Sequence, residues 1–263
     1  MKVIAVGENI IDDYYEINEE YIGGNCINFL INLKRNSSFD LSYIGPIAND
    51  KDGNEIKSLL QKECIDINNV SYLEGKTARS YIKIINGERY FTNFDPGVLA
   101  GFTLKEDQIT IIKKQDHIHS SIMGGTLPFL NYLKGQGTLS FDFSKLNNIN
   151  ILKSAASIVD YIFLSRDNLG NEEYNLAKEL YLAGSKQVIF LLGENGSAVY
   201  DGYKLYKEDS ILREPIIDSL GAGDAYIAGY IEKILNGYSI EAAMKQGNLL
   251  AEKVCSYKGG FFY

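Results

Sequence analysis

Gly221, Ala222, Gly223 and Asp224 stand together where an apolar helical pattern begins, within DSLGAGDAYIAG. Three residues without bulk let a ligand approach backbone N–H groups at a helix N-terminus, where unpaired donors and the helix dipole favour an anion. A carboxylate beside such a cradle repels phosphate, yet it is well placed to take a proton from an alcohol attacking that phosphate. Asp224 therefore reads as a base for phosphoryl transfer. A plainer reading also fits the twelve residues: Gly-Ala-Gly allows close helix packing, and Asp224 is a first-turn acid favoured by the dipole.

Other chemically able residues are scattered. Arg79 and Arg89 fall on extended segments, where their guanidinium forks suit a substrate carboxylate, with ordinary surface charge as the alternative. His117 and His119 sit at strand spacing with no third ligand, which argues against a metal site, and His119 is placed to face substrate from a strand's C-terminal end. Gly75-Lys76-Thr77 imitates the end of a phosphate loop, but Val70 occupies the position of its first glycine, so the segment reads as a turn. Cys26, Cys64 and Cys255 are widely spaced and form no CxxC pair, so they suggest neither a disulfide framework nor a zinc site and are expected as reduced thiols.

The elements that must position these groups follow from periodicity. Short β-branched runs (KVIAV, LSYIG, HIHSSI, TLSFDF, YIFLS, QVIFLL) alternate with helical patterns at 24 to 35, 53 to 63, 126 to 134, 149 to 156 and 171 to 183. That rhythm predicts an α/β fold with a mostly parallel central sheet and helices on both faces. Residues 10 to 22 and 78 to 94 are extended without intervening helices, and Asn86-Gly87 is a hairpin signal, so they are expected to form a small β-sheet lid. Asp201-Gly202 within SAVYDGYKLY predicts an antiparallel edge, and two helices close the chain, one from near Gly221 to Asn236-Gly237 and one capped by Ser239.

Composition limits the partners. With 263 residues, 45% of them hydrophobic, one sizeable core with a minor lobe is expected. A net charge of −8 without a Lys/Arg run opposes binding to nucleic acid. The short apolar stretch at the start and the absence of any 18-residue apolar run point to no membrane span and to a soluble, cytoplasmic protein. The aromatic face of the lid needs a cover, either substrate or a second subunit, and a homodimer through the lid is expected.

DSLGAGD at 218 to 224, GGNCIN at 23 to 28 and LGENGS at 192 to 197 together resemble the ribokinase-like (PfkB) family of carbohydrate kinases. Its C-terminal signature D-[ST]-x-G-A-G-D is reproduced in full, and its Gly-Gly pair followed by Asn appears as Gly23, Gly24 and Asn28. Within that family, GEN at 7 to 9, GGNCIN, SFDFS at 140 to 144 and LGENGS are most similar to the fructoselysine 6-kinase branch. The resemblance implies a single ribokinase-like kinase domain over 1–263 that uses ATP and Mg²⁺ to phosphorylate a primary hydroxyl of a ketose-type sugar or fructosamine. It implies Asp224 as the catalytic base, the backbone of Gly221, Ala222 and Gly223 as the anion hole, and Asp12, Gly24, Asn25 and Asn28 around the sugar. It implies Gly193, Gly196 and Gly247 beside the nucleotide, and a possible K⁺ held by carbonyls around Asp218 and Leu220.

Two departures bear on these expectations. Sugar-specific relatives often carry Lys where this chain has Asn25, so its pocket loses a positive charge. The family's Asn-x-x-Glu motif for magnesium falls in SRDNLGNEEY, where Ser165 and Asn168 stand in register and Asn171 and Glu172 substitute only by a shift. That alteration motivates a second class of function, a noncatalytic sugar or nucleotide sensor. Ribokinase, fructokinase and nucleoside kinase are the rival kinases, whereas a Rossmann dehydrogenase lacks GxGxxG after the first strand.

Overall fold

Lys2–Val6 is buried from its second residue onward, as a strand covered on both faces must be, and alternate side chains enter two different cores. The computed structural model describes residues 1–85, 88–211 and 216–262, except the side chains of 88 and 89. Numbered along the chain, the central sheet comprises β1 (Lys2–Val6), β4 (Asp40–Ile44), β9 (His117–Ser121), β10 (Thr138–Asp142), β11 (Tyr161–Ser165), β12 (Gln187–Leu191), β13 (Ser197–Tyr200) and β14 (Leu205–Glu208). Its order is β14-β13-β12-β11-β10-β9-β1-β4. The six strands from β12 to β4 run parallel, and β13 and β14 add an antiparallel edge at the Asp201-Gly202 turn.

The helices are α1 (Asn25–Lys34), α2 (Lys51–Lys62), α3 (Glu106–Ile112), α4 (Leu130–Leu133), α5 (Ile149–Ala156), α6 (Asn171–Ala183), α7 (Ala222–Leu235) and α8 (Ile240–Cys255). Val3, Ala5, Phe163 and Ile189 face a core built with α1, α2, α7 and α8. Ile4, Val6, Ile118 and Ile162 face the other, built with α3 to α6. Full burial of such a Val, Ile or Phe side chain is worth about 1.5–3 kcal/mol, and both faces of the sheet are lined with them.

The lid is a separate four-stranded sheet in the order β3-β2-β7-β8, from β2 (Ile10–Tyr14), β3 (Glu19–Gly23), β7 (Ala78–Ile85) and β8 (Glu88–Asp95). Parallel pairing of β2 with β7 joins two stretches distant in sequence. Asn86-Gly87 lies outside the described residues, although its flanking strands pair antiparallel up to Ile85 and Glu88. A third sheet, β5 (Pro46–Ala48) with β6 (Ser71–Leu73), has no counterpart in the sequence reading, because strands of three residues carry too little periodicity.

The helix expected at 126 to 134 is reduced to a 3₁₀ turn at Leu127–Phe129 followed by the single turn α4. Pro128 suits only the first turn of a helix, and the chain turns away before Gly135. No helix among the described residues is long and apolar enough to cross a membrane.

Candidate active site

The turn before α7 is built around glycine. Gly221 is the N-cap residue with φ 73°, a left-handed conformation, and a Cβ there would lie 2.4 Å from Gly260 Cα. No side chain caps the helix, so its N-terminal donors are left to the turn and to whatever lies beyond it. Two cavities meet at this point. One of about 540 Å³ is bordered by Leu220, Gly221 and Asp224, and another of about 370 Å³ by Ser219, Ala222 and Gly223.

Asp224, in the first turn of α7, is 7% exposed, and its Oδ2 accepts a 2.8 Å hydrogen bond from Asn28 Nδ2 on α1. Burial pushes its pKa well above the ordinary carboxylate value, and Asp142, Glu8 and Asp12 push it further, against the lowering effect of the Asn28 bond.

The larger cavity gathers the residues expected around a sugar. Asp12 projects from β2, while Gly24, Asn25 and Asn28 come from the start of α1. Gly24 caps that helix at φ 98°, and a Cβ would sit 3.2 Å from the Glu8 backbone oxygen. The lid closes the cavity with Ser80, Thr92 and Asn93 on its polar part and Phe91 and Phe94 on its apolar part. Asn28 Oδ1 is buried with no hydrogen-bond partner among the described residues.

Two carboxylates that sequence reasoning did not select stand at or behind this wall. Glu8 follows β1, borders the cavity and accepts from the Asn25 N–H at 2.9 Å and from Ser121 Oγ at 3.0 Å; burial raises its pKa. Asp142 ends β10 behind Asn25, whose Nδ2 donates to it at 3.0 Å, and burial raises its pKa to about 6. The available signal was positional: both acids end apolar parallel strands on the C-terminal side, where ligands of open α/β sheets gather. Asn25 thus bridges Asp142, through its side chain, and Glu8, through its N–H.

The second cavity lies along β12 and α8. Gly193 and Gly196 border it, in the turn between β12 and β13, together with Glu194, Tyr226, Asn248 and Cys255. Gly247 does not. A Cβ at Gly247 would meet the Tyr226 ring at 2.8 Å, so this glycine serves the close packing of α7 on α8, and its successor Asn248 reaches the cavity.

Other expectations need correction. Arg79 lines the opposite side of the lid from Ser80, its neighbour on β7, because successive strand residues alternate faces. Its guanidinium is taken up by Asp13 at 3.0 Å, Asp52 at 2.6 Å and Glu20, and these carboxylates raise its pKa against the effect of burial. These pairs tie β2 and β3 to α2, and Arg79 does not border the larger cavity. Arg89 pairs with Ile84 in the lid ladder, and its side chain lies outside the described residues.

His119 is fully buried, stacked on Phe29 at 4.1 Å between ring centroids and bonded through Nδ1 to Ser140 Oγ at 2.8 Å, so it belongs to the core. Burial holds His119 well below its usual pKa and His117 at about 3, which keeps both neutral. Ser165, Asn168, Asn171 and Glu172 border neither of the two cavities. Among the described residues no three His, Cys, Asp or Glu side chains gather as a metal cage. Asp218, where a monovalent cation was expected, accepts from Tyr14 Oη, from the Leu220 N–H at 2.9 Å and from the Gly259 N–H at 3.3 Å.

The backbone superposes with a TM-score of 0.83 on a putative ribokinase II of E. coli solved with ATP and Mg²⁺, over 98% of this chain and 94% of that one, at 18% identity; this likeness shows the ribokinase fold. The sequence is 29% identical over 265 residues to a fructoselysine 6-kinase of Shigella flexneri, covering 99% of this chain and 100% of the relative. It is 30% identical over 268 residues to a fructosamine kinase of Bacillus subtilis, covering 100% and 94%. The sequence profile of the pfkB family carbohydrate kinases matches residues 15–262. A helix N-terminus between two cavities, with a buried carboxylate on one side, thus belongs to a chain of that family: this protein is a pfkB family carbohydrate kinase, a phosphotransferase acting on a sugar hydroxyl.

Proposed function

We propose that the chain transfers the γ-phosphoryl group of ATP to a primary hydroxyl of a ketose-type sugar or fructosamine, with O6 of fructoselysine as the first acceptor to test. The observation that carries the reading is the position of the Gly221–Asp224 turn as the wall shared by both cavities. The acceptor occupies the larger cavity, its hydroxyls bonded to Asp12, Asn25 and Asn28, and ATP lies in the smaller one over Gly193 and Gly196. Asp224 orients the attacking hydroxyl and takes its proton as the new O–P bond forms and the bond to the ADP oxygen breaks. An ordinary Asp is far too weak a base to remove an alcohol proton beforehand, so orientation precedes proton transfer, and its raised pKa narrows that gap. The N–H groups of the turn stabilise charge on the moving phosphoryl oxygens, roughly 3 kcal/mol for each well-aimed donor.

Charge argues for the class of acceptor. Glu8, Asp12 and Asp224 line the cavity and Asp142 stands behind it, while no Lys, Arg or His is among the described lining residues. A sugar acid or sugar phosphate brings a like charge into this wall, whereas a neutral ketose or the ammonium of a fructosamine does not. The two relatives named for fructoselysine and fructosamine favour the second.

Mg²⁺ would be held chiefly by ATP oxygens and water, because it commonly uses few protein ligands. Its chemistry is charge neutralisation on the phosphates. A bound K⁺ would depend on main-chain carbonyls around Leu220, since donors already engage the Asp218 carboxylate; retention of full activity when potassium is exchanged for choline would argue against it. We also place the chain in the cytoplasm, where its ATP is, as a homodimer joined through the lid, whose strand β8 exposes Tyr90 and Phe91.

The deciding experiment is a phosphorylation screen with ATP and Mg²⁺ across fructoselysine, other fructosamines, free ketoses, ribose, nucleosides and a sugar acid. Turnover is expected first on a fructosamine or ketose and least on the acid. Preference for ribose or a nucleoside moves the chain to another branch of the family. Stabilisation by ligands without any turnover marks a sensor, a reading favoured only by the altered SRDNLGNEEY segment.

A further inference from the structure

Tyr14 ends the lid strand β2 and is 2% exposed, and its hydroxyl donates to Asp218 Oδ2, 204 residues later in the chain. Asp218 also organises the turn that leads into α7, accepting from the Leu220 N–H on Oδ1 and from the Gly259 N–H on Oδ2. Leu220 packs with Tyr14, Ile82 and Tyr21 of the lid while bordering the acceptor cavity beside Gly221 and Asp224. The bracket is completed behind the turn. Gly260 abuts Gly221, its carbonyl accepts from Asn32 Nδ2 at 3.0 Å, and Lys258 pairs with Glu19 of β3.

One carboxylate thus takes a hydrogen bond from the lid and another from the backbone of the phosphate-facing turn. Any displacement of β2 breaks a buried bond to the group that orients the Leu220 N–H, and such a bond is costly to leave unmade. Tyr14 itself borders neither cavity. We propose that Tyr14 is a positioning residue for phosphoryl transfer: through Asp218 it locks the lid to the Gly221–Asp224 turn, so that the turn reaches its transfer geometry only when the lid covers the acceptor. When that lock is missing, water competes with the sugar hydroxyl for the phosphoryl group, giving ADP and inorganic phosphate without sugar phosphate.

The inference rests on the kinase activity and not on which sugar is used. Tyr14→Phe removes the hydroxyl and keeps the ring against Ile82 and Leu220. With the acceptor found in the screen, its turnover is expected to fall about tenfold or more, with ADP formed in excess of sugar phosphate and the KM for ATP little changed. Asp218→Asn combined with Tyr14→Phe should be no slower than the slower single variant, because both act on one connection. A second arm needs no acceptor: in the ligand-free chain, amide hydrogen exchange of residues 10–14 should quicken in Tyr14→Phe while that of 2–6 and 117–121 stays as in wild type. Wild-type turnover and coupling overturn the proposal. So does a loss of rate that follows a lower melting temperature with the ratio of ADP to sugar phosphate unchanged. If no acceptor is phosphorylated, exchange alone decides, and an unchanged 10–14 segment overturns the lock without reference to the substrate.

Discussion

Asp224 is held by one neutral amide and surrounded by three carboxylates, so its protonation state is a property of the whole acidic wall. In Asp224→Asn the hydroxyl loses its proton acceptor while Asn28 still has an oxygen to bond. Turnover is expected to drop by about 10² to 10⁴ with acceptor binding retained, as checked by steady-state rates beside ligand-induced thermal shift. Retention of more than about a tenth of the wild-type rate would remove Asp224 from the base role. The raised pKa also sets the acid side of the pH profile, because only the carboxylate form accepts a proton. The rate should therefore fall with decreasing pH from a point above the ordinary carboxylate range. Asp142→Asn removes one charge that opposes ionisation of Asp224, so this acid limb is expected to shift to lower pH, as read from kcat/KM against pH.

At the scale of elements, the start of α7 and the attachment of the lid carry the strictest demands. Gly221→Ala adds a side chain at a positive φ and drives a methyl group into the Gly260 backbone, and neither strand of chain can yield without moving α1 through Asn32. A loss of at least about 2 kcal/mol in stability is expected, with a lower turnover in the fraction that folds, both measurable by denaturant titration and active-site-normalised rates. Arg79 behaves differently, since its carboxylate partners join the lid to α2. Arg79→Gln leaves Asp13, Glu20 and Asp52 facing one another without a cation. We expect a cost of about 1–3 kcal/mol, seen as a melting temperature several degrees lower, and an unaltered ratio of rates for acceptors with and without a carboxylate.

At the scale of the whole molecule, the mostly parallel sheet sets the loops of β1, β9 and β10 at one edge, and the chain then brings the late helix α7 against the early helix α1. That closure unites Asp12 and Asn28 with Asp224, residues about two hundred positions apart. The lid remains partly uncovered, with Phe91 60% exposed although it borders the larger cavity. A dimer through β8 would bury this strand, and sedimentation equilibrium is expected to show a dimer in wild type that Phe91→Glu weakens; a monomeric wild type at working concentration would set the lid-to-lid assembly aside.

By itself the sequence determined the alternation of strands and helices, the separate lid and the glycine turn that opens α7, because periodicity, turn residues and the loss of side-chain bulk are local properties written in adjacent positions. Only the tertiary structure decided which polar groups face the cavities. It turned Arg79 outward into three carboxylates, sank His119 beneath Phe29, withdrew Gly247 into a helix contact, brought Glu8 to the cavity wall and set Asp142 behind Asn25. The reason is that charge pairing, burial and the face on which a strand residue falls depend on partners far away in the chain, and no spacing along one segment records them.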